Sequence, residues 1–150
     1  MKKFLILSMF VLALASCGSI DHKSQVGIKG NWSITNVSYP NSDYIKVTSF
    51  DVADSKCFVG SSWNFVSNNN KGTMSLSGGN GCPSFSSPIV WTVTKAGDFT
   101  LKITEGEKAK RVTSGYFLKV RNQSENSFEL VDNVTVGGKT VEVVYQFAKM

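Results

Sequence analysis

The sequence predicts an all-β fold, an eight-stranded antiparallel up-and-down β-barrel set behind an N-terminal leader, and three observations predict it. From Gly30 onward, short runs alternate apolar and polar residues with a period of two, which places one set of side chains on one face of a strand. Clusters of Asn, Gly, Ser and Lys separate these runs and suit tight turns. Each run follows its predecessor through a local connection, and strands with one apolar face each lose their exposed edges when the sheet closes on itself. An open sandwich of the same strands has the same composition.

The leader starts with Lys2 and Lys3, continues through an apolar stretch from Phe4 to Ala15, and ends in Leu14-Ala15-Ser16-Cys17. A basic start, a short apolar core and small residues before a cleavage point are the parts of a secretory signal. About a dozen apolar residues do not span the ~30 Å of membrane hydrocarbon. A cleavage site that closes on a cysteine resembles the lipobox of bacterial lipoproteins. That resemblance implies a signal peptide over residues 1–16 and a mature chain whose first residue, Cys17, carries a diacylglycerol on its thiol. Acyl chains such as palmitate, at roughly 0.8 kcal/mol per buried CH₂, would then hold the protein on a membrane. Gly18 stands where enteric lipoproteins kept in the inner membrane have Asp, so the implied location is the bacterial cell envelope at the outer membrane. Residues 17–28 mix Gly, Ser, Asp, His, Lys and Gln without apolar periodicity and read as a lipidated flexible tether. The barrel domain is expected over residues 29–150.

With Lys2 and Lys3 removed, the formal charge falls from +5 to about +3. The cations are scattered. The densest group, Lys108, Lys110 and Arg111, stands beside Glu105 and Glu107, and no basic stripe interleaved with aromatics points to nucleic acid. Once Cys17 is acylated, Cys57 and Cys82 are an even pair in an exported chain, and a structural disulfide is expected, contributing roughly 3–4 kcal/mol. A metal site would need further ligands, and the single histidine, His22, falls in the tether.

The first strand runs from Gly30 to Val37, with Trp32 and Ile34 opposite Ser33 and Thr35. An irregular stretch from Pro40 to Gly60 follows, in which Ser42 to Ala53 suits a helical turn before Cys57. Trp63 and Phe65 alternate with Ser62 and Asn64, the cluster from Asn68 to Gly72 turns the chain, and Thr73 to Ser77 completes a hairpin. Gly78 to Pro83 reads as irregular. Ile89, Trp91 and Val93 then share a face, Lys95 to Asp98 turn, and Phe99, Leu101 and Ile103 line the next strand. After a charged loop at 105–110, Tyr116, Leu118 and Val120 alternate with Phe117, Lys119 and Arg121. Phe128 and Leu130 lead a strand to Val134, Gly137-Gly138 turns, and Val141, Val143, Tyr145 and Phe147 line the last.

Gly30-Asn31-Trp32, at the head of the first strand, resembles the G-x-W signature of the lipocalin and calycin group. Taken with the lipobox, the cysteine pair, the run Phe58-Val59-Gly60-Ser61-Ser62-Trp63-Asn64-Phe65 and Pro88-Ile89-Val90-Trp91, residues 28–149 look like the small lipocalin-like lipoproteins of Bacteroidetes-type bacteria. The resemblance favours the barrel over the sandwich. It implies that Gly30 and Trp32 close one end beside a cation of the last strand, Lys149, with Arg121 as the other option. Such a cation over the ring contributes ~0.5–2 kcal/mol. The second lipocalin motif, Thr-Asp-Tyr, is absent; Val131-Asp132-Asn133 is a distant echo of it.

Catalysis finds no support in the residues. No histidine joins a serine or cysteine within the barrel, no carboxylate pair is singled out by spacing, and no glycine-rich loop opens a helix, so no cofactor is implied. Binding is the class that remains, in two versions. In the first, Trp63, Phe65, Trp91, Phe99, Leu101, Tyr116, Leu118 and Tyr145, together with Trp32, Ile34, Phe128 and Val143, line a cavity for a small hydrophobic ligand. Tyr116 and Tyr145 would orient its head group with their hydroxyls. In the second, the same side chains fill the interior. The protein then acts on an envelope protein, as barrel-shaped lysozyme inhibitors do, through a disulfide-clamped loop at 78–87. A monomer is expected in either case.

Overall fold

The computed structural model describes residues 21–42 and 45–150; Cys17 and the leader lie outside them. Eight antiparallel strands close into one barrel: β1 (Gly30–Ser38), β4 (Ser62–Val66), β5 (Lys71–Gly79), β6 (Cys82–Val93), β7 (Asp98–Ile103), β8 (Tyr116–Arg121), β9 (Ser127–Val136) and β10 (Lys139–Lys149). Two short strands outside the barrel, β2 (Thr48–Ser49) and β3 (Ala53–Asp54), pair with each other. β1 closes the cylinder by pairing on one side with β4, Trp32 opposite Trp63, and on the other with β10, Trp32 opposite Lys149.

The alternation seen in the sequence is the inside–outside alternation of the wall. Trp32, Trp63, Phe65, Trp91, Phe99, Leu101, Phe128 and Phe147 are all at most 2% exposed. One irregularity corrects a phase. A bulge between Ile34 and Asn36 lets Val37, not Asn36, point inward at the end of β1. Asparagine and glycine make the tight turns: Gly137 and Gly138 both hold positive φ, 57° and 78°, as a two-residue hairpin requires.

Three expectations from the sequence need correction. Residues 22–28 are not a flexible tether but a helix, α1 (His22–Ile28), capped by the Asp21 carboxylate, which accepts from the Ser24 N–H at 3.1 Å. Among the described side chains of α1 Gln25 and Ile28 are buried, so the segment lacks the apolar stripe that marks a helix in sequence, yet Ile28 is 0% exposed against the core.

The segment 78–87 is not an irregular loop. β5 and β6 pair through Ser77 opposite Ser84 and Gly79 opposite Cys82, around the two-residue turn Asn80-Gly81, whose φ values are 54° and 80°. The Asn-Gly dipeptide sets this hairpin, while the serines and glycines flanking it carry no apolar alternation.

Helical structure after Tyr39 falls later than expected, at η1 (Ser55–Phe58), and the preceding residues form the β2–β3 pair. That segment is held by apolar side chains turned into the barrel: Val47, Phe50, Ala53 and Phe58 are each at most 8% exposed.

Candidate functional site

The two ends of the barrel are built differently. At the closed end Gly30 holds φ +114°, a conformation that L side chains rarely adopt, and it delivers Trp32 into the barrel axis. The Trp32 indole N–H donates to the Ile28 carbonyl at 2.7 Å, its ring meets Phe128 edge-on at 4.7 Å, and the Lys149 ammonium lies 5.3 Å from it. Arg121, the other cation considered for this place, pairs with Glu129 at 3.6 Å and Glu142 at 3.4 Å on the outer wall. Helix α1 caps this end, with the Asp21 N–H donating to the Val93 carbonyl at 2.8 Å.

Above Trp32 the lower chamber is filled by rings. Phe128 stacks on Phe147 at 4.6 Å, Phe65 meets Trp91 at 5.1 Å and Phe99 at 6.0 Å, and Trp91 stacks on Phe99 at 5.9 Å. The polar edges of these side chains are satisfied locally. The Trp91 indole donates to the Lys71 carbonyl and the Trp63 indole to the Ser61 hydroxyl, at 2.8 and 2.9 Å. Of the expected ligand-lining residues, then, Phe65, Trp91, Phe99, Leu101 and Leu118 are core.

The mouth end carries the feature that sequence reasoning missed. The β2–β3 hairpin folds over the opening, and its turn inserts the Phe50 ring into the upper chamber. There Phe50 stacks on Tyr145 at 5.4 Å and meets Tyr116, Phe58 and Trp63 edge-on at 5.2, 5.4 and 6.4 Å. Four rings thus enclose a fifth, donated by a lid. The backbone there is strained, for Phe50 and Asp51 hold φ 53° and 54°, a left-handed conformation that costs a non-glycine residue roughly 1–2 kcal/mol.

Both tyrosine hydroxyls, expected to orient a ligand, hold the lid. Tyr145 bonds the Ser49 hydroxyl at 2.5 Å, and Tyr116 donates to the Asp51 carboxylate at 3.2 Å. Burial, and then the neighbouring Asp51 carboxylate, push the Tyr116 phenol up to about 12; burial also pushes Tyr145 well above the usual phenol range. Asp132, behind Tyr145, is raised by burial as well. The covalent anchor of this end is the Cys57–Cys82 disulfide, which ties η1, directly after the lid, to the tip of the β5–β6 hairpin.

Beside the lid lies an open cleft of about 300 Å³, walled by Phe50, Val52, Phe85 and Tyr116 and edged by Asp51 and Glu105. Its walls are apolar and its rim can accept hydrogen bonds. Among the described residues no group of three or more His, Cys, Asp or Glu side chains converges as a metal site. A signal for the lid was present in the sequence: Val47, Phe50, Val52 and Phe58 are four large apolar residues in the stretch from Pro40 to Gly60 that reads as irregular.

Compared with known families, residues 28–130 match a family model described as a lipocalin-like domain. The match covers the barrel from the end of α1 to the middle of β9. No curated protein and no solved structure matches the chain.

Proposed function

Because the chain belongs to the family of lipocalin-like domains, in general a family of binding barrels, we propose that it is a lipid-anchored cell-envelope protein that takes up a small hydrophobic ligand at its lidded mouth. The observation that carries this reading is Phe50. A ring supplied by a strained hairpin turn sits where a ligand ring would sit, among Tyr116, Tyr145, Phe58 and Trp63. Lifting the β2–β3 hairpin exposes those four side chains and frees the Tyr116 and Tyr145 hydroxyls for a ligand's polar end. The open cleft beside Phe50 offers a first contact of a size at the lower bound of small-molecule sites. Uptake is therefore an exchange of one ring for another, and the lower chamber stays packed.

The leader and its lipobox support the anchor, with Cys17 as the acylated residue and the outer membrane as the location. The test of uptake is a titration of the leaderless chain, residues 18–150, with N-phenyl-1-naphthylamine. A saturable rise in probe fluorescence, matched by quenching of Trp63, is expected; partition without saturation overturns the reading. The filled lower chamber favours a second reading, a closed-core module acting on an envelope protein through the β5–β6 hairpin tip at Gly79–Cys82. It predicts no saturable probe binding at all.

A further inference from the structure

The closed end of the barrel carries a groove of about 700 Å³ between α1 and the β8–β9 turn, with Lys23, Val26, Gln123, Ser124, Glu125 and Lys149 along it. Lys23 and Lys149 are exposed and, among the described residues, neither makes an ion pair; Val26 is 39% exposed between them. Among the lining residues two ammonium groups face the single Glu125 carboxylate, Asp21 being held at the helix cap by Ser24, and Val26 adds an apolar side chain. That combination suits a phosphodiester joined to a hydrocarbon, the chemistry of a phospholipid headgroup.

Charge alone does not choose this end. The mouth also carries exposed cations, such as Lys46 before β2 and Lys139 at the head of β10. The attachment point chooses it. Asp21 is bonded to Val93 on the rim of the closed end, and Cys17 precedes it by four residues, which reach at most about 14 Å fully extended. β10 alone, at 11 residues, is about 36 Å of strand, so even when tilted the barrel is longer than that reach.

Resting on the anchor reading above, we propose that the protein stands on its membrane with the closed end down, the groove at Lys23 and Lys149 seating an anionic phospholipid headgroup. The lidded mouth then faces away from the bilayer. The anchor holds the chain on the membrane, and the groove sets which end of the barrel faces it. Each lysine near an anionic surface contributes roughly fivefold in binding.

The experiment uses the acylated full-length product in vesicles. A photo-crosslinking residue is placed at Val26 in the groove or at Asn80 at the mouth, both on the surface and outside the core. Vesicles are either phosphatidylcholine alone or phosphatidylcholine with phosphatidylglycerol, and intact mass is read on the same samples. The expected result is lipid crosslinking at Val26 but not at Asn80, several-fold higher with phosphatidylglycerol and reduced about fivefold or more by Lys23→Glu. Equal labelling at the two positions on an acylated protein overturns the orientation and leaves the anchor standing. Val26 labelling that ignores phosphatidylglycerol and Lys23→Glu overturns the headgroup site. An unacylated terminus overturns the anchor and the orientation with it.

Discussion

Replacing Phe50 separates what the lid does for stability from what it does for binding. Phe50 is 6% exposed and touches four rings, so Phe50→Ala removes a buried phenyl group. Such truncations cost about 3–5 kcal/mol in a rigid core, and a hairpin that can settle brings the figure to about 3 kcal/mol. With a urea slope near 1.5 kcal/mol per M, the denaturation midpoint falls by about 2 M. Phe50→Gly makes the argument sharper. Glycine is ordinarily the worse substitution, but at φ 53° it escapes the left-handed penalty that alanine keeps, so it should be more stable than Phe50→Ala by about 1 kcal/mol. Binding moves the opposite way. Without its resident ring the cage no longer competes with a ligand, and each 1.4 kcal/mol of lost closure raises apparent affinity about tenfold. N-phenyl-1-naphthylamine should bind either variant at least tenfold more tightly than the natural chain. A glycine variant less stable than the alanine one, or unchanged probe affinity in both, refutes the account of the lid.

Removing the Cys57–Cys82 bridge, which spans 25 residues, is expected to cost about 3.5 kcal/mol on the chain-entropy relation, read as a lower melting temperature for the double serine variant. Gly72→Ala should prevent normal pairing of β4 and β5, because the added Cβ would lie 2.0 Å from the Asn64 carbonyl oxygen; the check is loss of near-ultraviolet circular dichroism. Alkaline titration should destabilise the fold. The Tyr116 phenol ionises near 10 in the unfolded chain and about 12 in the native one, so its contribution is complete below pH 10 and is lost between pH 10 and 12, with the buried Tyr145 extending the loss upward; melting followed with tyrosinate absorbance tests it. Asp132, its carboxyl raised by burial, opposes folding once charged, so Asp132→Asn should melt higher than the natural chain at pH 7 and equal to it near pH 3.

The barrel was legible because its strands are long enough for the period of two to repeat: β10 shows four inward residues in alternation from Val141 to Phe147. The segments that close its ends were not. Among its described side chains α1 buries Gln25 and Ile28 alone, and β2 and β3 have two residues each, too short for any periodicity. Their conformations are decided by tertiary burial, with Ile28 under Trp32 at one end and Phe50 under the lid at the other. The β5–β6 hairpin was hidden for a different reason. Its outer portion is written in serine and glycine, and only the Asn80-Gly81 turn speaks for pairing. For the candidate site, most of the residues expected to face inward are buried, Tyr116 only partly, yet composition does not tell packed rings from rings around a void. Trp91 and Phe99, stacked at 5.9 Å, are core, whereas Tyr116 and Tyr145 border Phe50, a ring supplied by the lid.

The most direct measurement places 4-fluorophenylalanine at position 50 of the leaderless chain and follows its ¹⁹F resonance while N-phenyl-1-naphthylamine is added. Exchange of ring for ring predicts one buried resonance without probe, replaced on saturation by a solvent-exposed one whose population tracks occupancy. Saturable binding that leaves the buried resonance in place contradicts it.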